Sequence, residues 1–288
     1  MIMSIILGPQ REKLLRLFLQ YGLSRATDLD DYTIKKTLID PPGSNDHYIV
    51  EIDDKQFEFR VSGKLLGGVD RTVEQHNLKL VNDAGITLPH LVFDPDNGVK
   101  ISEYLDIYTF KQSDLLKEDL RDQALLQLSR LHDSGLIFRD SFSPLTAYTR
   151  LGGPDPLSQD AVRIADQIVK RLHRIGMDRL PCHQDAFYKN FVVFRDDVYL
   201  IDWEHASMGD PYFDFADFCQ QNALDHIDSL PKQCCTQFHH SRSFDAEKFI
   251  LFYLLSMLTW GLWSVQKNRP AKSHELLTKA IHRSKNHI

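Results

Sequence analysis

The sequence predicts an α+β protein of two lobes, with a small five-stranded antiparallel β lobe over residues 1–104 and a larger, mainly helical lobe over residues 105–288. Two observations lead to this prediction. Short runs of β-branched and aromatic residues, separated by turn residues, fill most of the chain between positions 32 and 104. After position 105 the apolar residues recur at helical spacing instead. This change of period predicts that strands and helices are segregated along the chain.

The elements of the first lobe follow from local patterns. Strands are predicted at residues 32–39, 47–52, 56–62, 90–93 and 98–104. The third of these, QFEFRVS, alternates apolar and polar residues, as a strand with one buried face does. A helix is predicted at residues 69–83, because Asp70 stands near its start and Gly85 just past its end. The spacing of the leucines predicts an amphipathic helix at residues 10–20.

The second lobe contains a long apolar stretch among its helices. Helices are predicted at residues 115–132, 158–175, 212–223, 244–267 and 273–283. Residues 249–265 carry no charge, and their length is at the lower limit for a transmembrane helix. Ser256 and Thr259 dilute the apolar character, and Lys248 and Lys267 bound the stretch. We expect a buried helix and no contact with a membrane.

Composition excludes several classes of function. Lys and Arg total 34 against 40 Asp and Glu, a net charge of −6, and no basic cluster stands out, so we expect no nucleic-acid partner. The four cysteines show no disulfide pattern, which favours a reducing cytoplasm. Residues 1–8 are apolar but lack the basic start and the length of a signal peptide. The sequence leaves a homodimer open.

The most informative stretch is residues 181–204, PCHQDAFYKNFVVFRDDVYLIDWE. It contains His183-x-Asp185, then Asn190, then Asp202. The runs FVVF and VYLI around the turn residues RDD predict a β-hairpin, with Asn190 before its first strand and Asp202 after its second. This is the layout of a kinase catalytic loop followed by a metal-binding aspartate. The alternative is a core histidine among surface acids.

The first lobe contains candidate nucleotide-binding residues. The loop PPGSN offers a glycine for close approach and donors for phosphate, although most Pro-Gly pairs are plain turns. A basic residue on the third strand, paired with a glutamate on the following helix, is the kinase arrangement for holding phosphates; the alternative is a surface ion pair. The backbone at the lobe boundary would meet an adenine edge. We expect nucleotide contacts from Gly43, Ser44, Asn45, Arg60, Glu74, Glu103 and Leu105.

Six stretches resemble a known family. They are FRVSG, VDRTVEQHN, LSRLHDSGLIF, HQDAFYKN, IDWEHASMGDPYFDFADFC and WGLWSVQ. On these motifs the chain resembles the choline/ethanolamine kinase branch of the aminoglycoside-phosphotransferase-like kinases, including bacterial choline kinases, from about residue 43 to about residue 266. The resemblance implies a protein-kinase-like fold and ATP-dependent phosphorylation of the hydroxyl group of choline or a similar amino alcohol.

The resemblance also implies residue roles. Asp185 would accept or orient the proton of the substrate hydroxyl, and Asn190 and Asp202 would hold Mg²⁺ against the phosphates of ATP. His183 would brace the catalytic loop. Asp214 would do the same through backbone hydrogen bonds.

The acceptor is the least determined part of the resemblance. Trp260 and Trp263 share a helix face, and they are either core aromatics or a wall for a quaternary ammonium group. Gln220 stands where choline kinases usually have an acidic residue that faces the cation. Asp217 or Glu204 could supply that charge. Ethanolamine, thiamine, an aminoglycoside or another small alcohol stay open as acceptors.

Two other classes of function are kept as alternatives. A soft-metal site could form from Cys234, Cys235, His239 and His240, although these residues lack paired Cys-x2-Cys spacing. A catalytically silent kinase-like binding protein is the other alternative. The intact loop aspartate, asparagine and downstream aspartate argue against it.

Overall fold

The structure is a computed structural model that describes residues 4–5, 16, 19–22, 33–36, 45–52, 55–62, 69–140, 142–237 and 244–288. Gly43, Ser44, His239 and His240 lie outside the described residues, as does most of the helix predicted at residues 10–20. The chain forms two compact units. The first contains Met1–Gln75 and Leu88–Asp106, and the second contains His76–Thr87 and Ile107–Ile288.

The first unit is built on one antiparallel sheet. Its strands are β1 (Ser4–Ile5), β2 (Thr33–Lys36), β3 (Asn45–Ile52), β4 (Lys55–Ser62), β5 (Val92–Asp94) and β6 (Val99–Glu103), in the order β1-β2-β3-β4-β6-β5. The five predicted strands are all present, and β1 is an additional two-residue strand at the edge. β4 lies between β3 and β6, where Phe59 pairs with Tyr48 on one side and Ile101 on the other. Phe59 and Ile101 are fully buried, so the alternation in β4 builds the core of this unit.

The helices confirm the predicted α+β class. They are α1 (Arg71–Asp83), α2 (Glu118–His132), α3 (Pro144–Leu151), α4 (Pro156–Ile175), α5 (Pro211–Gln221), α6 (Leu230–Gln237), α7 (Ala246–Gln266) and α8 (Pro270–Ser284). Both α3 and α6 were absent from the sequence prediction. Short strands complete the second unit: β7 (Tyr108–Thr109), β8 (Leu180–Cys182), β9 (Phe191–Phe194), β10 (Asp197–Leu200) and β11 (Ser207–Gly209).

Helix α7 is the core helix of the second unit. It packs against α3, α4, α5 and α8. Among the described residues it is the one helix long and apolar enough to cross a membrane, and 72% of that stretch is buried inside the protein. A core helix of a soluble protein passes the same test of length and composition. Its burial agrees with the prediction of a core helix.

Helix α5 begins at a short motif that fixes its start. The side chain of Asp210 caps the helix by accepting a hydrogen bond from the Tyr212 backbone N–H at 3.0 Å. Pro211 occupies the first helical position, where its missing N–H costs nothing. Asp210 also pairs with the buried Lys248 at 2.6 Å, which ties the start of α5 to the start of α7. Asp210, Pro211 and Lys248 therefore fix where α5 begins, and with it the positions of Asp214, Asp217 and Gln221 along the helix.

Candidate active site

A β-hairpin brings Asn190 and Asp202 to the same end of two paired strands. β9 and β10 pair antiparallel with Phe191 opposite Leu200. The ladder continues one step further, because the Ile201 N–H donates to the Asn190 carbonyl oxygen at 3.0 Å. Asn190 therefore immediately precedes one strand and Asp202 follows the other, as the sequence pattern predicted.

Asp185 is held by amide groups on both carboxylate oxygens. The side-chain nitrogen of Asn190 donates to Asp185 Oδ2 at 3.1 Å and to the Asp185 main-chain oxygen at 2.9 Å. The side-chain nitrogen of Gln221 donates to Asp185 Oδ1 at 2.7 Å. Both amide hydrogens of Asn190 are thus directed to Asp185, which leaves the Asn190 amide oxygen as the atom to face a cation.

Asp214 holds the backbone at the start of the candidate catalytic loop, residues 183–190. Its fully buried carboxylate accepts from the backbone N–H groups of His183 and Gln184 at 2.9 and 2.8 Å, and lies 2.9 Å from His132 Nε2. Gln184 has a φ of 64°, a left-handed conformation that costs energy in a residue with a side chain. These contacts stabilise that conformation and fix the direction in which the chain enters Asp185.

His183 is a packed residue rather than an exposed one. Its ring is fully buried, with Nε2 at 3.0 Å from the carbonyl oxygen of Ile201. It also packs edge-on against Trp203, with ring centroids 4.8 Å apart. His183 therefore joins the catalytic loop to the chain segment that carries Asp202.

Asp202 occupies a left-handed backbone conformation, with φ 69° and ψ 70°. Aspartate tolerates this region better than most residues. The next residue, Trp203, is buried and donates from its indole nitrogen to Thr87 Oγ1 at 3.0 Å. Thr87 in turn donates to the Leu200 carbonyl oxygen at 2.7 Å. The sequence IDWE thus anchors the backbone on both sides of the aspartate.

Asp217 is directed to the catalytic loop and not to solvent. It is fully buried and accepts from the Ala186 backbone N–H at 2.8 Å, from Gln221 at 2.9 Å, and from Ser256 and the Trp260 indole at 2.6 and 2.7 Å. Burial, and then the nearby charge of Asp185, raise the pKa of Asp217 to about 7, against the opposing effect of these donors. Asp217 therefore orients the backbone at Ala186 and the side chains of its donors, Gln221, Ser256 and Trp260.

An aromatic cluster surrounds Trp260. The ring of Phe142 stacks on it with centroids 6.3 Å apart, and His205 and Trp263 lie edge-on at 5.8 and 5.9 Å. Glu204 precedes His205, and its side chain is only 12% exposed. Two cations of the chain itself contact Trp263: Lys267 Nζ lies 5.0 Å and the Arg269 guanidinium 5.2 Å from the ring centroid.

In the first unit the candidate nucleotide-binding residues include a buried ion pair. Arg60 on β4 donates to Glu74 on α1 at 2.7 Å, and the two side chains are 5% and 1% exposed. This burial distinguishes the pair from an ordinary surface ion pair. Arg71 also pairs with Glu74. Glu103 ends β6 and Asn45 begins β3; contacts of these positions with nucleotide stay predictions, as they do for Leu105.

Two of the four residues of the candidate soft-metal site, Cys234 and Cys235, lie in the described part of the chain. Cys234 and Cys235 are buried and free. Burial raises the pKa of Cys235 to about 12 and that of Cys234 well above its usual value. His239 and His240, the other two candidate ligands, lie outside the described residues, so the soft-metal site stays a prediction.

Sequence reasoning missed four residues that contact the site: Phe142, His205, Gln221 and Ser256. One signal could have found Gln221, which stands four residues after Asp217 on the same helix face. Gln220, the residue that the sequence indicated, lies with its side-chain amide 2.9 Å from the Ser256 hydroxyl oxygen.

Comparisons with known proteins agree with the resemblance seen in the motifs. Residues 123–231 match the family described as "Phosphotransferase enzyme family". Protein LicA of Haemophilus influenzae is 26% identical over 240 residues, covering 78% of this chain and 71% of that protein. The crystal structure of choline kinase LicA from Streptococcus pneumoniae superposes with a TM-score of 0.77 at 23% identity, covering 95% of this chain and 98% of that one. A structure of LicA in complex with AMP gives a TM-score of 0.76 at 22% identity, with 96% and 99% covered. Residues 123–231 therefore match a phosphotransferase family, and the chain shares its fold with the two LicA structures.

Proposed function

We propose that this protein is a Mg²⁺- and ATP-dependent kinase that phosphorylates the hydroxyl group of choline or a similar amino alcohol in the cytoplasm. The observation that carries the proposal is the placement of Asp185. Its carboxylate is oriented by two amide donors, on a loop fixed by Asp214 and beside a hairpin whose ends hold Asn190 and Asp202. The phosphotransferase-family match and the choline kinase fold support the same chemistry.

Asp185 acts as the base in this proposal. It accepts the proton of the acceptor hydroxyl as the oxygen forms a bond to the γ-phosphorus, while the bond from that phosphorus to its bridging oxygen breaks and ADP leaves. Such a base contributes on the order of 10²–10⁴ in rate. The role of the protein is to hold the carboxylate in one orientation, which the two amide donors do.

The residues present fit a magnesium ion. Oxygen ligands are those that Mg²⁺ prefers, and the hairpin presents the Asn190 amide oxygen and the Asp202 carboxylate. Mg²⁺ bound there would neutralise charge on the phosphates of ATP. In the first unit we assign phosphate contacts to Arg60, oriented by Glu74, together with the loop residues Gly43, Ser44 and Asn45.

We assign the acceptor's cationic group to the aromatic cluster of Phe142, His205, Trp260 and Trp263, with Glu204 as the compensating charge. Cation–π contacts contribute about 0.5–2 kcal/mol each. Other small alcohols are alternative acceptors, and a silent binding protein is the alternative to an enzyme.

Replacing Asp185 by asparagine tests the chemistry. Asp185→Asn keeps the shape but removes the base, so we expect turnover to fall by about 10²–10⁴ with ATP affinity within about threefold of wild type. The measurement is ADP release with Mg²⁺ and a panel of amino alcohols, with ATP affinity measured by calorimetry. Asp196→Asn, at an exposed turn, is the matched control. Full turnover by Asp185→Asn would exclude the assignment.

A neutral analogue of choline tests whether the acceptor site recognises a cation. We expect choline to be phosphorylated with a KM about tenfold or more below that of its isostere, in which a tert-butyl group replaces trimethylammonium. Trp263→Ala should remove most of this preference while KM for ATP is unchanged. Trp263 is a cleaner probe than Trp260, whose indole also holds Asp217. Equal KM values for the two acceptors would reject a cation site.

A further inference from the structure

Gln221, at the last position of α5, contacts the proposed base directly. We propose that Gln221 is a positioning residue that locks the carboxylate of Asp185 in its working orientation by bridging it to Asp217. The inference rests on the proposed function and deepens it, because it assigns to one of the two amide donors a separate role that can be tested on its own.

The amide group of Gln221 has a single orientation available. Its nitrogen lies 2.7 Å from Asp185 Oδ1 and 2.9 Å from Asp217 Oδ2. An amide nitrogen has two hydrogens, so each is directed to one carboxylate. The flipped amide would place its carbonyl oxygen against the Oδ1 atom of Asp185, the proposed base, which is repulsive. The two acidic groups therefore fix the glutamine, and the glutamine fixes Asp185.

Gln221 has a different role from the two acidic residues on the same face of α5, Asp214 and Asp217. Asp214, Asp217 and Gln221 lie on one helix face at spacings of three and four residues, and all face the catalytic loop. Asp214 and Asp217 accept from backbone N–H groups of that loop, so they hold the chain. Gln221 instead reaches the side chain of Asp185, the part that takes the proton.

Asp217, the residue that links Gln221 to the rest of the second unit, is itself held by several hydrogen bonds. Asp217 accepts three further donors, from Ala186, Ser256 and Trp260, so it cannot turn away from the glutamine. The second donor to Asp185 is Asn190, which is also a proposed magnesium ligand. The hydrogen bond from Gln221 to Asp185 is therefore independent of any ligand that Asn190 binds.

Two near-isosteric variants of the full-length protein test the proposal. Gln221→Met and Gln221→Glu both remove the donor. We expect kcat to fall about 10- to 100-fold, because a misplaced base loses reactive geometry. KM for ATP and for the acceptor should stay within about threefold, and crystals of Gln221→Met should show the Asp185 carboxylate rotated or in two orientations. Gln233→Met is the matched control, since Gln233 donates to Asp122 on another helix.

A wild-type kcat in Gln221→Met, or an unmoved Asp185 carboxylate in its crystals, would overturn the proposal. A loss that appears in KM and thermal stability while kcat is retained would also overturn it, because that pattern indicates a structural role. If wild-type protein phosphorylates no acceptor, the proposed function fails, whereas the orientation of Asp185 in the variant crystals still decides whether Gln221 positions it.

Discussion

At the scale of single residues, opposing effects act on the ionisation of Asp217 and set its pKa. A fully buried carboxylate pays a desolvation cost, and the charge of Asp185 adds to it. The donors from Ser256, Gln221 and Trp260 act in the opposite direction, because they stabilise the ionised form. With a pKa raised from 3.8 to about 7, Asp217 stabilises the fold most below about pH 4, and that contribution is lost as the pH rises through about 7.

Ser256→Ala tests this balance. Losing the 2.6 Å hydrogen bond should destabilise the protein by about 1–3 kcal/mol above pH 7, where Asp217 is ionised. The loss should be smaller near pH 5, because the neutral carboxyl depends less on the donor. The measurement is urea unfolding at both pH values.

Ser264→Ala is the matched control for that experiment. Ser264 is fully buried on the same helix, and its hydroxyl has no hydrogen-bond partner among the residues that the structure describes. We expect little change in its unfolding free energy at either pH. Equal losses in the two variants would show that Asp217 does not depend on Ser256.

At the scale of elements, the approach of α7 to α8 depends on Gly261. A Cβ at this position would lie 2.6 Å from Leu277 Cδ2 and 2.9 Å from Leu277 Cγ. Leu277 is fully buried, so it has little space into which to move. The glycine of the WGLW motif therefore sets the helix crossing behind Trp260 and Trp263.

Gly261→Ala should destabilise the protein although alanine favours helix. Overpacking costs typically about 1–3 kcal/mol, and the gain of about 1 kcal/mol in helix propensity offsets part of it. In a Leu277→Ala background the same change should cost nothing or stabilise, because the clash is removed. Urea unfolding of the four proteins in this cycle measures the coupling. Additive effects would contradict the clash.

The elements also show what a sequence can predict. β4 and the β9–β10 hairpin were predictable, because alternation and turn residues are local signals. The two missed helices, α3 and α6, are eight residues each, too short for a clear apolar period. The contact of Gln221 with Asp185 joins residues 36 apart, and only the packing of α5 against the loop creates it. Local patterns therefore predict the residues of the loop and the hairpin, whereas a contact between distant residues such as Gln221 and Asp185 depends on tertiary packing.

At the scale of the whole molecule, the residues with proposed roles are divided between the two units. The Arg60–Glu74 pair lies in the first, and Asp185, Asn190 and Asp202 lie in the second. A ligand that binds only the folded protein stabilises it according to its concentration relative to Kd. Global stability is therefore a readout of nucleotide and metal binding that requires no knowledge of the acceptor.

Adding ATP with Mg²⁺ should stabilise the wild-type protein by about 2.7 kcal/mol at one hundred times Kd. Asp202→Asn should lose the part of this increment that depends on Mg²⁺, because an amide is a weaker ligand than a carboxylate. Asparagine tolerates the left-handed backbone at this position, so the fold itself should be unaffected. The measurement is thermal unfolding with ATP alone and with ATP and Mg²⁺. Asp197→Asn, exposed at the start of β10, is the control and should respond as wild type. A full Mg²⁺-dependent increment in Asp202→Asn would remove Asp202 from the metal site and leave Asn190 without its proposed partner.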